Sequence, residues 1–201
     1  MQNVYIIGTS ATPVGEHWER TAISLACEAL NGARGALPTE RIGALYVANA
    51  LSAAIGGQAQ LGAAIAAAAG MHGAEAHTIE AGGASGGLAL RQAYLAVASG
   101  AYDLVAVVGV ERTTDVLDDR REAAQIQAAD VDWEAVQGAT TTAQWAMLMR
   151  RYMHVYGVSS DAFAPFPLSM PMPMEPPAKR PCTALQSAPT KSVAPHSSPI
   201  H

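Results

Sequence analysis

Residues 77–99 read HTIEAGGASGGLALRQAYLAVAS, and this stretch decides the fold class of the chain. A short strand-like run from His77 to Glu80 is followed by a glycine-rich turn and then by a helical run from Leu88 to Ser99. Glycine lets the backbone of such a turn approach a ligand closely, and the free N–H groups that open the helix favour an anion. An enzyme places a nucleophile with a lowered pKa in this kind of turn. Here, however, the turn offers no cysteine, only Gly83 and the hydroxyl of Ser85.

Strand-like and helical segments alternate on both sides of this turn. The predicted strands outside it are 4–8, 44–48 and 104–110, and the predicted helices are 21–34, 58–69 and a pattern across 128–157. Continuous apolar strands that alternate with helices indicate an α/β layered fold whose sheet is buried on both faces. The helical stripe of Tyr152, Met153 and Tyr156 predicts core packing. The charge run 115–121 predicts a solvated loop.

Composition narrows the class of protein and of partner. The chain has 201 residues, half of them hydrophobic and 14% charged, which predicts one globular domain with a sizeable core. A net charge of −5 without a basic run argues against nucleic acid and anionic membranes as partners. Two cysteines form no disulfide framework, and the N-terminus has no leader-like pattern, so we expect a cytoplasmic protein. His72 and His77 have no further ligand at metal-binding spacing, so we expect no metal.

The composition changes near Pro165. Ten of the twelve prolines lie in residues 165–201, and all eighteen glycines lie before residue 158. We therefore divide the chain into a body, 1–164, and a Pro-rich tail, 165–201. The tail is predicted to be disordered, without a helix or an inner strand, and a polyproline-type ligand for a partner is the alternative.

The ordered set of segments resembles the N-terminal half of a thiolase. It is most similar to the sterol-carrier-protein type, also called lipid-transfer or acetyl-CoA acetyltransferase-like proteins. The similarity extends to about Phe166 and rests on Val4–Gly8, Thr12-Pro13, Gly15–Trp18, Ala81–Gly87, Ala93–Gly100, Tyr102-Asp103, Val107–Glu111, Arg151–Met153 and Tyr156-Gly157.

The resemblance implies a fold. It is a layered α/β/α half-fold with a mixed, mostly parallel sheet. A loop domain that contacts CoA begins within 115–157, and one further strand follows it. A second half-fold stacks on the first, so a chain that ends here would leave an apolar face uncovered.

The resemblance also implies a chemistry. The family's nucleophile is the cysteine of a Cys-Ala-Ser-Gly-Gly turn, which takes an acyl group from acyl-CoA as a thioester. That cysteine falls at Gly83, and Ser85 falls on a structural serine that would cap the helix. The family's other reactive groups, a His, a second Cys and an Asn-held oxyanion site, come from its C-terminal half. Cys182 and His196 have no family motif around them, so we predict no catalytic residue.

Three functions stay open at this point. The parent activity is acyl transfer between acyl-CoA thioesters, by thiolysis or by Claisen condensation of a 3-oxoacyl-CoA, with this chain inactive. The first alternative is a non-catalytic subunit that pairs with an intact thiolase in a homo- or hetero-oligomer, since the family that the chain resembles is typically dimeric. The second is a Cys-free aldolase component of steroid or lipid breakdown with a small OB-fold partner. CoA thioesters enter only as substrates, and no cofactor is expected.

The tail contains a pattern with a second explanation. Residues 170–175 read Met-Pro-Met-Pro-Met-Glu. Because Met has the single codon ATG and Pro is CCN, a frame moved back by one base encodes alanine between residues drawn from Asn, His, Asp and Tyr, and then glycine. The family carries such an Asn/His-Ala pattern there. We interpret the tail as the product of a frameshift near Phe166; a genuine Pro-rich linker is the alternative.

Overall fold

The computed structural model describes residues 3–165 and the backbone of residues 182–187. The strands are β1 (Val4–Ser10), β2 (Ala44–Ala48), β3 (Glu75–Ile79), β4 (Leu104–Gly109) and β5 (Cys182–Ser187). The helices are α1 (Ala22–Arg34), α2 (Ser52–Gly56), α3 (Leu61–Ala68), α4 (Ser85–Ala98), α5 (Asp118–Gln125) and α6 (Thr141–Tyr156). Short 3₁₀ turns join several of them. No helix in the described ranges is long and apolar enough to cross a bilayer.

The five strands form one sheet in the order β1-β5-β4-β2-β3. β2 pairs in parallel with both β3 and β4. β5 is antiparallel to β4 on one side and to β1 on the other. The predicted α/β fold with a mixed, mostly parallel sheet is therefore confirmed.

The sheet is covered by helices on both faces. Every residue of β2 is buried, and its side chains alternate between two hydrophobic clusters. Leu45 and Val47 pack with α1 and α3, whereas Ala44, Tyr46 and Ala48 pack with α4. The small residues Ala89 and Ala93 of α4 are fully buried against the sheet. Alanine at these positions lets the helix approach the sheet closely, which explains the Ala-rich, aromatic-poor composition.

The ends of two helices follow directly from the sequence. The hydroxyl of Thr21 accepts a hydrogen bond from the Ser24 N–H at 3.1 Å and caps α1. Thr140 caps α6 in the same way, through the Ala143 N–H at 3.1 Å. Gly157 ends α6 in the left-handed conformation that glycine adopts most readily.

Three segments differ from the expectation. The predicted helix 58–69 is shorter, and the five-residue α2 before it, too short to carry a hydrophobic period, was not predicted. The charge run predicted as a loop is partly helical, in α5, where acidic residues in the first turn favour the helix N-terminus. Helix was predicted across 128–140, but Asp130 Oδ1 accepts from the N–H groups of Asp132 and Trp133. This local turn competes with helix formation.

The predicted core stripe of α6 is wrong. No residue of α6 is buried, and the exposed fractions of Tyr152 and Tyr156 are 48% and 66%. The two rings contact each other, with centroids 4.6 Å apart, rather than the core. Periodicity identifies an apolar face but not the surface that covers it.

Six residues of the tail differ from the prediction that it forms no inner strand. Cys182–Ser187 form β5, an inner strand, where none was expected. The physical reason is local: Pro181 and Pro189 flank this segment, but the segment itself contains no proline and can pair on both edges. The remainder of the tail, 166–181 and 188–201, for which disorder was predicted, lies outside the described residues.

Candidate functional site

The glycine-rich turn lies at the carboxyl end of β3, where α4 begins. Residues Gly82–Ala84 form a single 3₁₀ turn between the strand and the helix. Gly82 has a φ of +53°, a conformation that side-chain-bearing residues rarely adopt. This edge of a parallel sheet is where α/β folds place their ligands. The turn predicted from the sequence is thus formed and correctly placed.

Ser85 holds this turn together. Its residue surface is 5% exposed. Its Oγ accepts a hydrogen bond from the Ala81 N–H at 2.9 Å and donates one to the Gly82 carbonyl at 2.7 Å. The expectation that Ser85 caps the helix is wrong, because the capping position is Ala84 and its side chain makes no bond. Ser85 is structural, but it binds the turn before the helix rather than the free N–H groups of the helix.

Position 83 has room for a side chain. A Cβ built on Gly83 meets no heavy atom within 4 Å, and unlike Gly82, Gly83 does not have a positive φ. A larger residue is therefore compatible with the backbone as it stands. The resemblance places the family's nucleophile at this residue, and that assignment stays a prediction.

A cavity of about 580 Å³ lies beside the turn. It is lined by Ala50, Leu51, Glu80, Ala81, Gly82, Ala124, Gln127 and Ala128. Gly83 does not line it. Glu80 Oε1 accepts the Gly82 N–H at 2.5 Å, so this carboxylate both lines the cavity and restrains the turn. Ala124, near the end of α5, and Gln127 and Ala128 after it form one part of the cavity wall. These residues lie in the range predicted to begin the loop domain.

A brace between two strand ends holds the backbone of Ala50 and Leu51, which line this cavity, and sequence reasoning missed it. Glu111, after β4, accepts hydrogen bonds from the N–H groups of Ala50 (3.0 Å) and Leu51 (2.9 Å) through Oε2. Its Oε1 accepts from Nδ2 of the buried Asn49 at 3.1 Å. The available signal was that Asn49 and Glu111 are the first polar residues after two neighbouring parallel strands. Such residues meet at the same edge of the sheet.

A second polar cluster lies at the opposite end of β3. Glu75 accepts hydrogen bonds from the hydroxyls of Tyr102 (2.6 Å) and Tyr46 (3.4 Å), and its Oε1 contacts His77 Nε2 at 2.8 Å. The Tyr102 hydrogen bond is the main cause of the lowered pKa of Glu75; burial opposes it, and His77 and Tyr46 lower the pKa further. The hydrogen bond to Glu75 raises the pKa of Tyr102, and burial raises that of Tyr46. This cluster joins β2, β3 and the α4–β4 connection far from the turn.

The cysteines do not replace the missing nucleophile. Cys27 lies on α1, and burial raises the pKa of its thiol, so it stays protonated at neutral pH. Cys182 begins β5. His196 lies outside the described residues. His17 and Trp18 bond within their own loop, to Pro13 and Glu16.

Comparison with known proteins identifies relatives whose similarity extends over nearly all of the body, residues 1–164. The model of the thiolase N-terminal domain matches residues 4–168. An acetyl-CoA acetyltransferase of Methanocaldococcus jannaschii is 42% identical over 163 residues, which cover 80% of this chain and 41% of that protein. One from Methanothermobacter thermautotrophicus is 39% identical over 166 residues, covering 82% and 43%. The chain thus spans about two-fifths of the length of these relatives.

Two solved structures resemble the fold. The chain is 28% identical to the Ltp2-ChsH2(DUF35) aldolase, with a TM-score of 0.57, over 80% of this chain and 40% of that one. It is 24% identical to the Acat5 thiolase of Ascaris suum, solved in complex with coenzyme A, with a TM-score of 0.51 over 58% and 32%. The second likeness concerns the fold alone.

Proposed function

Because the chain belongs to the thiolase family, matching its N-terminal domain, we propose that it derives from an enzyme of acyl transfer between acyl-CoA thioesters and has lost the covalent step at Gly83. The parent reaction is thiolysis, or Claisen condensation, of a 3-oxoacyl-CoA. The observation that carries the proposal is the turn itself, held by Ser85 at the end of β3 with no side chain at position 83.

The chemistry of the lost step is simple to state. A thiolate attacks the acyl carbonyl, the new C–S bond makes an acyl-enzyme, and CoA leaves as its own thiolate. Gly83 has no atom that can form this bond. Ser85 is a poor substitute because its Oγ is buried and already bonded on both sides of the turn. Cys27 is a poor one because its thiol has a raised pKa and lies on α1.

The test is thiolysis of acetoacetyl-CoA by the full chain and by Gly83→Cys. We expect no turnover from either, since the His and second Cys of the family belong to the C-terminal half and the family match is to the N-terminal domain. Turnover by the wild-type chain overturns the proposal at once. Recovered turnover in Gly83→Cys overturns the part of it that assigns the missing groups to the other half.

A second measurement tests whether position 83 suits a reactive thiol, and it does not require turnover. The rate of alkylation by iodoacetamide against pH gives the thiol pKa of Gly83→Cys and of the matched control Ala84→Cys, one residue further along the turn. Since Gly83 has free space and precedes a helix N-terminus, we expect an accessible thiol with a lowered pKa there. A thiol as unreactive as that of Cys27 contradicts the assignment of position 83.

The aldolase is a second candidate, favoured by the likeness to the Ltp2-ChsH2(DUF35) aldolase at 28% identity. A retro-aldol reaction needs no cysteine nucleophile and so tolerates Gly83. In that case the chain acts with a small OB-fold partner of the DUF35 kind. Formation of a carbonyl product from a 3-hydroxyacyl-CoA, in the absence of thiolysis, favours this candidate over the first.

A non-catalytic role beside another thiolase-fold chain draws support from α4. This helix buries Ala89, Ala93 and Val97 against the sheet, but its other side leaves Leu90 and Tyr94 39% and 45% exposed. Such a face suits a further protein layer. A stable complex with an intact thiolase after co-expression, lost in a Leu90→Glu/Tyr94→Glu variant that keeps its circular dichroism spectrum, supports this role. An unchanged complex contradicts the use of this face.

A further inference from the structure

The cavity beside the glycine-rich turn has walls that suit an uncharged ligand. Its volume of about 580 Å³ lies within the range of small-molecule sites. Five of the eight residues that line it are Ala or Leu, and a sixth is Gly82. The two others are Gln127 and Glu80, so Glu80 is the one charged residue among the described residues of the wall. A phosphate group in this cavity would face a carboxylate and no cation of the described wall.

The carboxylate of Glu80 is held in place by the turn. Its Oε1 accepts the hydrogen bond from the Gly82 N–H at 2.5 Å. Its Oε2 has no hydrogen-bond partner among the described residues and can accept a proton donor from a ligand. Hydroxyl and amide N–H groups are such donors, whereas a fully ionised phosphate has no proton to donate.

The segment that forms another part of the wall is acidic. Residues 111–137 include Ala124, Gln127 and Ala128 of the wall, and they contain eight Asp or Glu against three Arg. Their net charge of −5 equals that of the whole chain. A helix rises about 1.5 Å per residue, so the acidic residues of α5 lie within about 10 Å of Ala124 along the helix. Charges act over about 8–10 Å at physiological salt, so this segment adds to the negative potential that Glu80 creates.

The arginines of this segment do not offset that potential at the wall. None of the three lines the cavity. Two of them form ion pairs within the segment, Arg112 with Asp115 and Arg121 with Asp118. The third, Arg120, donates from Nη2 to the Ile55 carbonyl at 3.2 Å, and Ile55 is not a residue of this wall.

We propose that the cavity is a site for an acyl thioester on an uncharged pantetheine arm, and that Glu80 selects against the phosphates of CoA. The thioester rests on the proposed function, whereas the lack of charge rests on the cavity wall. The phosphates of CoA are repelled by Glu80 and by the acidic segment 111–137. Pantetheine is uncharged, and its hydroxyl and amide N–H groups can donate to Oε2 of Glu80. Rejection of one ligand by a like charge is a general basis of specificity.

The test compares two probes that differ by the nucleotide, acetoacetyl-pantetheine and acetoacetyl-CoA. Calorimetric titration gives the affinity of the full wild-type chain for each. In low salt we expect acetoacetyl-pantetheine to bind about tenfold more tightly, because the repulsion is then least screened. In about 1 M salt, where charges act over about 3 Å, the ratio of the two affinities should approach one. A ratio that moves further from one as salt is added would show that cations hold the phosphates, and it overturns the proposal.

A single substitution tests the role of Glu80. Glu80→Gln removes the charge but keeps an oxygen that can accept the Gly82 N–H. In low salt we expect the affinity for acetoacetyl-CoA to rise about three- to tenfold. The affinity for acetoacetyl-pantetheine should fall, because an amide nitrogen replaces an acceptor oxygen. An equal rise for both probes contradicts selection by Glu80.

The matched control is Glu40→Gln. Glu40 is an exposed residue that precedes β2, so it lies at the end of the sheet opposite to the cavity. This variant removes the same charge from the chain and should change neither affinity by more than about twofold. A rise for acetoacetyl-CoA as large as that in Glu80→Gln would assign the effect to net charge and overturn the role of Glu80.

Failure of this proposal differs from failure of the proposed function. An affinity for acetoacetyl-CoA that equals or exceeds that for acetoacetyl-pantetheine in low salt overturns the selection and leaves the lost step at Gly83 intact. Binding of neither probe also overturns it, because the cavity is then not a thioester site. Turnover by the wild-type chain overturns the lost step without changing the ratio of the two affinities. Circular dichroism verifies the folding of both variants, and the wild-type comparison needs no substitution.

Discussion

The Tyr102 hydroxyl donates a 2.6 Å hydrogen bond to Oε2 of Glu75, and so ties the segment before β4 to the first residue of β3. This bond is the main cause of the lowered pKa of Glu75. The carboxylate is therefore better stabilised in the folded chain than in the unfolded one. Among the strands that the structure describes, β3 lies at one edge of the sheet, so the bond restrains a strand that pairs there on one side.

The pH dependence of stability should report this bond. A carboxyl whose pKa is lowered by folding contributes stability above its unfolded value, near 4.5, and loses that contribution as the pH falls through the lower folded pKa. We expect the melting temperature of the wild-type chain to fall more steeply below pH 4.5 than that of Tyr102→Phe. The control Tyr94→Phe, on the exposed side of α4, should follow the wild-type profile. Equal slopes in both variants would show that the bond does not act on Glu75.

Ser85 provides a test of the turn. Replacing Ser85 by Ala removes the acceptor of the Ala81 N–H and the donor to the Gly82 carbonyl in a buried site. We expect the free energy of unfolding to fall by about 1–3 kcal/mol, measured by denaturant titration. Ser99→Ala removes one bond of an exposed serine and should change it by less than about 0.5 kcal/mol. Similar losses at both sites would contradict the role given to Ser85.

Two glycines should respond in opposite directions to the same substitution. A Cβ on Gly62 would lie 2.5 Å from the carbonyl carbon of His77, so Gly62→Ala must push α3 away from β3. We expect a loss of about 1–3 kcal/mol in the free energy of unfolding. Gly87, in α4, has nothing within 4 Å of its Cβ position. There the change to Ala should stabilise the helix by about 0.5–1 kcal/mol. Denaturant titration of both variants measures the two changes in the free energy of unfolding. Changes of the same sign would contradict the prediction.

The frameshift interpretation predicts the content of a gene rather than a property of the protein. Sequencing through the codons of residues 166–201 and beyond should reveal, one base back, an open frame that encodes the His and Cys motifs of the family's other half. Early stop codons in that frame would favour a genuine Pro-rich linker. The backbone pairing of β5 does not decide between the two, because a ladder can form without particular side chains.

Most of the fold was predictable because its signals are local. The apolar run of β4 and the capped helix after Thr21 depend on neighbouring residues, and both lie within a few residues of their predicted bounds. The exposure of α6 was not predictable, because a helical stripe does not reveal what packs against it. β5 was missed because the proline content of the whole tail obscured six residues that contain none.

The candidate site likewise contains one feature that was predictable from the sequence and others that were not. The glycine-rich turn was located from residues 82–87 alone, since its backbone demands are local. The brace between Asn49 and Glu111 joins residues that follow two different strands, and their polar character at the strand ends indicates a contact only once those strands are known to be neighbours. The partners of Ser85 were assigned wrongly because a serine at a helix start can bond forwards, as a cap, or backwards, as it does here.

The position of β5 in the sheet has a consequence for how the chain is made. β1 is synthesised well before β5, the strand with which it pairs among the described residues, as the pair Val4↔Ser187 illustrates. On the ribosome, β1 therefore emerges long before any edge exists for it to join. Contacts of such high sequence separation fold slowly, and an unpaired apolar strand is prone to aggregate meanwhile. Production of this protein in cells should depend strongly on chaperones that shield β1 until residues 182–187 have been synthesised.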